Sequence, residues 1–239
     1  MTDEEKFIEN LYDEANEELK EVYRQQKESR DDILQEIAMI MLTYTVLDGL
    51  MSIGKKDKDK IYKKLSGLII TNYKTISDKE VKVLNSILES TVNKTFKFYS
   101  YNANLKDVKK IIEDNFKGKH FSERIWSNEN EVSKHLHKQV KSFLDGKINV
   151  NQIKKDIEKT FNTSAYNSKR LVETEVNRCE DEAFRRFCKE TGVKKVKRNE
   201  ILDSKICDEC RSLNGKIFNL DDAPGVVHPM CRGFNEIYN

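Results

Sequence analysis

The sequence contains only two prolines, Pro224 and Pro229, among 239 residues. Because proline interrupts helices, the chain before Pro224 can form long ones. Long apolar runs are also missing: residues 37–50 are too short and too polar to span a bilayer, so we expect no membrane association. The first five residues contain neither a basic nor an apolar leader segment, and we expect no cleaved signal peptide.

The net charge of +2 hides an uneven distribution. Residues 1–36 hold five basic and thirteen acidic side chains, a net charge of −8, so the remainder carries +10. Phosphate groups would be repelled by the first segment and tolerated by the rest. We favour the simpler interpretation that the high charge solvates long helices.

The amino-terminal half has the apolar periodicity of helices. Spacings of three and four predict helix over residues 3–53, as one helix or two, and again over residues 59–73. The lysine-rich segment 55–60 predicts a solvated turn between them. Ser77 and Glu80 have the spacing of a capping box, which predicts a new helix start.

Helical spacing continues towards the carboxyl terminus. Asn104 is expected to cap a short helix, and Gly146 to end a following one. Two further helices are predicted over residues 149–161 and 164–191. The period then changes from 3.6 to 2, which predicts a strand over residues 193–201.

Aromatic residues point to the core rather than to a ligand. Phe96, Phe98, Tyr99 and Tyr101 lie close together near basic residues, and we favour core packing over base stacking for them. The only tryptophan, Trp126, lies on a helical stripe and is predicted to be a buried structural anchor.

The strongest chemical signal is a set of four soft metal ligands near the carboxyl terminus. Cys207 and Cys210 form a C-x2-C pair, and His228 and Cys231 form an H-x2-C pair. A two-residue spacer lets both side chains of a pair converge on one tetrahedral Zn²⁺. Residues 214–215, Asn-Gly, predict a hairpin turn that returns the second pair to the first.

We favour a structural zinc site over reduced core thiols or a disulfide. Three thiolates and one imidazole leave no coordination position for a catalytic water. Arg232 and Lys205 are placed to offset the negative charge of such a site, whereas Asp208 and Glu209 add to it, so the sequence leaves the net effect open. A basic cluster on the predicted strand offers a possible contact to DNA: Lys194, Lys195, Lys197 and Arg198.

Between about residues 118 and 234 the sequence resembles the minor head proteins of tailed phages. This is the family of the head morphogenesis protein of phage SPP1 and the F protein of phage Mu. The resemblance rests on an ordered series of motifs at residues 121–126, 171–178, 203–210, 213–218 and 228–232.

Two positions depart from the family pattern. The tryptophan that often precedes the first cysteine pair is replaced near residues 197–199. The second cysteine that commonly follows the Cys-Arg motif is Gly233 here. Neither change removes one of the four predicted ligands.

Helical periodicity and the resemblance together predict a mainly α protein with two parts. The resemblance itself covers about half of the chain and leaves residues 1–117 unplaced, so their role below is a hypothesis from their apolar helix face. Residues 1–117 are expected to form a long-helix body that docks on the portal or inner shell, with the apolar segment 33–50 at or against the docking surface. Residues 118–239 are expected to form the minor-head-protein domain. It would include a small α+β cap, residues 193–238, that is cross-linked by zinc.

The implied function is that of a non-enzymatic minor capsid protein inside the phage head near the portal, present in the host cytoplasm during assembly. Its implied partners are the portal protein, major capsid or scaffold proteins, and possibly packaged double-stranded DNA. Such a protein would support head assembly and genome packaging or ejection.

Other functions stay open from sequence. A nucleic-acid-binding zinc module fits the four ligands, although the acidic start disfavours it. A zinc-anchored nuclease needs a non-ligand histidine near the cysteines, and His228 is the sole histidine in that region. Glu173 and Glu175 have the E-x-E spacing of ADP-ribosyltransferases, but we expect a structural Glu175 paired with Arg178 or Arg232.

Overall fold

The computed structural model describes residues 2–204 and 206–238. Its helices and strands, in chain order, are α1 (Asp3–Thr43), β1 (Val46–Leu47), β2 (Leu50–Met51), α2 (Lys55–Phe98), α3 (Leu105–Glu113), α4 (Phe121–Leu144), α5 (Val150–Thr191), β3 (Lys195–Asn199), α6 (Asp208–Leu213), β4 (Ile217–Asn219) and β5 (Phe234–Ile237). The protein is mainly helical with a small strand-containing carboxy-terminal part, as predicted. Across the described residues, the helices lack an apolar stretch that could cross a membrane.

The first helix ends earlier than the sequence pattern predicts. α1 ends at Thr43, and β1 and β2 form a short antiparallel hairpin. Asp48 and Gly49 have φ values of 49° and 78°. Two consecutive residues with positive φ make the tight turn that Asp-Gly favours, so this turn signal prevailed over the apolar run that follows α1.

The second helix replaces three predicted elements with one. Residues 55–60 begin α2 instead of forming a solvated turn. Ser77 and Glu80 lie buried within α2 and do not form a capping box. No proline or glycine interrupts the helix near Ser77, so α2 continues through it.

α5 likewise joins the two helices predicted over residues 149–161 and 164–191. Its start is as predicted, because the Asn149 side chain accepts a hydrogen bond from the Gln152 backbone at 2.9 Å. Its end is also as predicted, since Gly192 follows it with a φ of 77°.

Two other predicted helix boundaries are present. The Asn104 side chain accepts hydrogen bonds from the backbone N–H groups of Lys106 and Asp107, which caps α3. Gly146, with a φ of 67°, follows the end of α4. These signals depend only on near neighbours in the chain, and tertiary packing preserves them.

The chain divides into two compact units. Unit 1 comprises Met1–Leu19, Lys82–Phe121 and Lys169–Asn239, and unit 2 comprises Lys20–Val81 and Ser122–Ser168. The bounds of α1, α2 and α5 show that each contributes residues to both units. The boundary predicted after residue 117 therefore does not coincide with either unit, and the assignment of separate roles to residues 1–117 and 118–239 stays a prediction.

Unit 2 is a helical bundle with an aliphatic core. Ile33, Ile37 and Ile40 of α1 are buried in this core. Part of the apolar segment 33–50 is therefore buried within its own unit and needs no partner protein to shield it from water. Trp126 is only partly buried, so the prediction of a buried anchor is correct only in part. Its ring packs edge to face with the Tyr73 ring, with the centroids 5.5 Å apart.

Unit 1 combines an aromatic cluster with the three-stranded sheet. The Phe98 ring stacks on Phe7 at 4.3 Å, and Tyr99 stacks on Phe187 at 4.9 Å. These contacts agree with the core packing predicted for the aromatic residues. The sheet has the order β4-β3-β5, with both neighbours antiparallel to β3.

Candidate metal centre

The two predicted ligand pairs come together in unit 1. The Cys207 and Cys210 sulfur atoms lie 3.2 and 3.1 Å from His228 Nε2. The Cys210 and Cys231 sulfur atoms are 3.8 Å apart. Cys210 and Cys231 are buried and Cys207 is half-buried, so the cluster lies at the edge of the unit.

Mutually close ligand atoms fall into two overlapping sets. One set is Cys207, Cys210 and His228, and the other is Glu200, Cys210 and Cys231, with all ligand atoms of a set within 4.8 Å of one another. Sequence reasoning missed Glu200, because it precedes the first cysteine pair without any motif spacing. Its pairing with β3 residue Arg198 is visible only in three dimensions.

The first ligand pair is organised by the start of α6. Cys207 is the N-cap of this helix, and its sulfur accepts a hydrogen bond from the Cys210 backbone N–H at 3.4 Å. This bond is the main reason that the pKa of the Cys207 thiol is lowered. A lowered thiol pKa favours the thiolate, which is the form that binds metals. For Cys210, burial dominates and raises the thiol pKa, and the nearby Cys231 raises it further.

α6 also corrects the predicted hairpin. The Asn214-Gly215 turn is present, with a φ of −57° at Asn214 and 77° at Gly215. However, it joins α6 to β4, and β4 pairs with β3. The second ligand pair therefore does not return through a hairpin between residues 207 and 218.

The second ligand pair lies on a tight turn. The Cys231 backbone N–H donates to the His228 carbonyl at 3.0 Å, with Pro229 and Met230 between them. Pro229 supplies the fixed φ of the second turn position, and Met230 takes the positive φ of the third at 63°. A non-glycine residue in this conformation is uncommon, so the surrounding contacts hold the turn.

The turn also sets the tautomer of the imidazole. His228 Nδ1 lies 2.9 Å from the Pro229 carbonyl, which can only accept a hydrogen bond. The proton is therefore on Nδ1, and the lone pair of Nε2 faces the two sulfur atoms. This arrangement is the one found in metal-binding histidines. The same bond is the leading reason that the pKa of His228 is raised.

α5 holds the second pair in place through the predicted 171–178 motif. The Thr174 hydroxyl accepts from the Met230 backbone N–H at 3.1 Å, and Asn177 donates to the Gly233 carbonyl at 2.8 Å. The motif on α5 therefore contacts the His-Pro-x-Cys-Arg motif and the glycine after it directly, through these two hydrogen bonds.

Glu175, on the same helix, forms a buried ion pair. Its Oε2 is 2.7 Å from Arg178 Nε. Of the two partners predicted for Glu175, Arg178 or Arg232, the structure shows Arg178. Arg178 also donates to the Ile111 and Ile112 carbonyls at the end of α3, at 2.8 and 3.4 Å. The Glu175 carboxylate thus fixes an arginine that caps a neighbouring helix.

An arginine that was not among the cations expected near the cysteines approaches the cluster. Arg232 pairs with Asp203 at 2.6 Å, and Lys205 lies outside the described residues. Arg198 instead approaches the cluster, with Nη2 3.5 Å from Cys231 Sγ.

This position also corrects the proposed basic DNA contact. Arg198 has no exposed surface, so it cannot touch a nucleic acid. Lys197 pairs with Glu236 at 2.8 Å, whereas Lys194 and Lys195 are exposed. Alternation along β3 places successive side chains on opposite faces, and this separates Arg198 from Lys195 and Lys197. The possible DNA surface is reduced to the lysines.

The donor set fits a zinc ion. Thiolates and imidazole are ligands that zinc prefers in structural sites. Two thiolates on one tetrahedral zinc are separated by about 3.8 Å, which is the observed separation of the Cys210 and Cys231 sulfur atoms. With three cysteines and one histidine as ligands, the ion would link the start of α6 to the 228–231 turn.

Comparison with known families covers the same part of the chain. Residues 130–234 match the model of the family described as phage Mu protein F like protein. In this segment the chain is similar to that family. The match confirms the resemblance to phage head morphogenesis proteins and indicates a phage head-related protein. No curated protein and no solved structure shows a significant match to the chain.

Proposed function

We propose that this protein is a non-enzymatic minor component of a tailed-phage head, which associates with the portal and supports head assembly and genome packaging or ejection. The observation that carries the proposal is spatial. The phage Mu F-like segment contains the cysteine–histidine cluster together with the α5 motif that holds it. The cluster and the α5 side chains that contact it thus lie in one unit and within the segment that matches a head-related family.

Within this proposal, zinc is a structural staple held by Cys207, Cys210, His228 and Cys231. The ion supplies a tetrahedral cross-link between two short segments that otherwise share few buried apolar side chains. Close thiolates repel one another, so binding of the ion is coupled to folding of the cap. The filled ligand set and the ion-paired Glu175 support a non-enzymatic role.

The staple is tested by zinc content per chain in protein purified without chelators. We expect one zinc per chain, and we expect it to be lost in a Cys207→Ser, Cys210→Ser double variant together with folding of the cap. Cys188→Ala is the matched control, because it removes a buried thiol of unit 1 outside the cluster. Absence of zinc from the unmodified protein, or its retention in the double variant, would contradict the staple.

Docking on the portal or inner shell is proposed for the exposed apolar side chains in the predicted segment 33–50. Met39, Leu42 and Leu47 are 53%, 82% and 59% exposed, whereas Ile33, Ile37 and Ile40 are core residues. A contiguous exposed apolar patch is typical of a surface that a partner covers, and the proposal is that these three side chains contribute to one. Deleting residues 1–50 would remove buried side chains from both units and so disturb their folding. Substitution of the exposed side chains is therefore the sharper test of docking.

A triple variant of Met39, Leu42 and Leu47 to Gln is expected to fold normally and to enter procapsids poorly. Leu105→Gln is the control, because Leu105 is 74% exposed in unit 1, outside the proposed surface. Normal incorporation of the triple variant would rule out this docking surface without affecting the zinc proposal.

A further inference from the structure

Arg198 is the only arginine among the described residues that has no exposed surface. Its guanidinium spans three different partners in unit 1. Nε is 2.8 Å from Glu200 Oε1, Nη1 is 3.2 Å from the Pro224 carbonyl, and Nη2 is 3.5 Å from Cys231 Sγ. A charged side chain is buried in this way only where its partners compensate for the lost hydration.

Gly233 provides the space that this arrangement needs. A Cβ atom at residue 233 would overlap Arg198 Nη2 and both carboxylate oxygens of Glu200. Gly233 follows directly after Cys231 and Arg232, and the Arg198–Glu200 pair occupies the space that a side chain at residue 233 would need.

Glu200 lies close enough to compete for a metal. Its carboxylate belongs to one set with the Cys210 and Cys231 sulfur atoms, all within 4.8 Å. The Glu200 backbone is fixed by a bond from its N–H to Asn214 Oδ1 at 2.9 Å. Its side chain is held by Arg198, so the same guanidinium contacts both the potential extra ligand and a sulfur of the cluster.

Electrostatics favours a cation at this position. Three thiolates and a neutral imidazole around Zn²⁺ leave a net charge of −1, and the Glu200 carboxylate adds a second negative charge nearby. In a buried environment such charges are poorly screened. Arg198 offsets one of them, and a charged N–H donor to a thiolate is stronger than a neutral one.

We propose that Arg198 is a positioning residue of the zinc centre, which donates to the Cys231 sulfur and holds the Glu200 carboxylate away from the ion. This inference rests on the zinc staple proposed above. It assigns charge compensation at the cluster to Arg198. It also explains why residue 233 is a glycine, because a side chain there would overlap Arg198 and Glu200.

The test compares zinc affinities, measured by competition with a chromogenic chelator on the full-length chain. The informative pair is Glu200→Gln and the double variant Arg198→Met, Glu200→Gln, because the two differ only in the guanidinium. Both lack the Glu200 carboxylate, so any effect of removing it is common to the two variants. We expect the double variant to bind zinc about 10- to 100-fold more weakly than Glu200→Gln, as is typical when a group supporting a ligand is removed.

Arg232→Met is the matched control. Arg232 follows Cys231 directly in sequence but pairs with Asp203, so its loss is expected to leave zinc affinity unchanged. A second readout is the cobalt-substituted protein, whose thiolate absorption bands are expected to shift in the double variant and to stay unchanged in Arg232→Met.

The outcomes separate the two proposals. If the unmodified protein binds no zinc, the staple itself is wrong. If it binds zinc and the double variant matches Glu200→Gln in affinity and cobalt spectrum, only the role of Arg198 is overturned. If the double variant does not fold, Arg198→Gln with Glu200→Gln replaces it; affinity equal to that of Glu200→Gln alone would then overturn the role.

Discussion

The Tyr12 hydroxyl donates a hydrogen bond to the Cys231 carbonyl at 3.3 Å, although the two residues are 219 positions apart. The same hydroxyl accepts from Asn177 at 3.1 Å, so it connects α1, α5 and the second ligand pair. Burial raises the pKa of Tyr12, which keeps the phenol protonated and able to donate. The family-matched segment 130–234 therefore relies on a residue that lies far outside it.

Tyr12→Phe is expected to destabilise the protein by about 1–3 kcal/mol, because it leaves a buried carbonyl and the Asn177 amide each without one partner. The measurement is urea-induced unfolding followed by circular dichroism. Tyr166→Phe is the control, since Tyr166 is 56% exposed and its hydroxyl is accessible to water. Equal midpoints for the two variants would show that the Tyr12 bond adds no stability.

Arg178→Met is expected to cost about 3–5 kcal/mol, since it leaves the Glu175 carboxylate buried and unpaired. It also removes donors to the Ile111 and Ile112 carbonyls, so amide exchange in α3 should accelerate. Both quantities are measurable, by chemical unfolding and by hydrogen exchange.

Arg186→Met serves as the comparison for Arg178→Met. Arg186 pairs with Glu190 at 3.0 Å, but its side chain is 43% exposed. Exposed ion pairs contribute little, so a loss below about 1 kcal/mol is expected. A similar loss of unfolding free energy in both variants would show that burial does not increase the contribution of the Glu175–Arg178 pair to stability.

Stability should fall as pH rises because of two buried acids in unit 2. Burial raises the pKa of Glu129 to about 7, and burial together with the Glu129 charge raises that of Glu80 to about 8. Ser164 donates to Glu129 at 2.6 Å, which only partly offsets the effect. Between about pH 4.5 and 8 the unfolded chain releases these protons before the folded one, so unfolding becomes easier as pH rises.

The pH dependence is tested with the double variant Glu80→Gln, Glu129→Gln. Its stability is expected to decline less over that pH range, by an amount on the order of a few kcal/mol. Glu131→Gln is the control, because Glu131 is exposed and pairs with Lys134 at 2.7 Å. Parallel pH profiles for the double variant and the unmodified protein would contradict the assignment.

Any DNA contact of the basic strand should depend on Lys194 and Lys195, which are exposed, and not on Arg198. Replacing both lysines with Gln should reduce the slope of log affinity against log salt by up to about two. The comparison is Lys97→Gln, which removes a lysine of unit 1 on α2. An unchanged slope in the lysine pair variant would contradict a DNA contact through these two lysines.

Sequence reasoning was most successful where a structural feature depends on neighbouring residues. Asn104 caps α3, and Gly192 follows the end of α5 with a positive φ. Both features depend on contacts within a few positions in the chain. It failed where helices continue: the capping-box spacing of Ser77 and Glu80 predicted a helix start, but both side chains are buried inside α2, which contains no proline or glycine near them and runs through without a break.

The sequence by itself determined that the chain is mainly helical, that three cysteines and one histidine lie in two pairs with metal-ligand spacing, and that the motif series is similar to that of a phage head-related family. The tertiary structure alone decided that Arg198 is buried beside Cys231, that Glu200 joins the cluster, and that Tyr12 reaches the second pair. The reason is physical: burial and charge compensation depend on which distant segments pack together, and a side chain such as arginine has the same local signature whether it faces water or a cysteine sulfur.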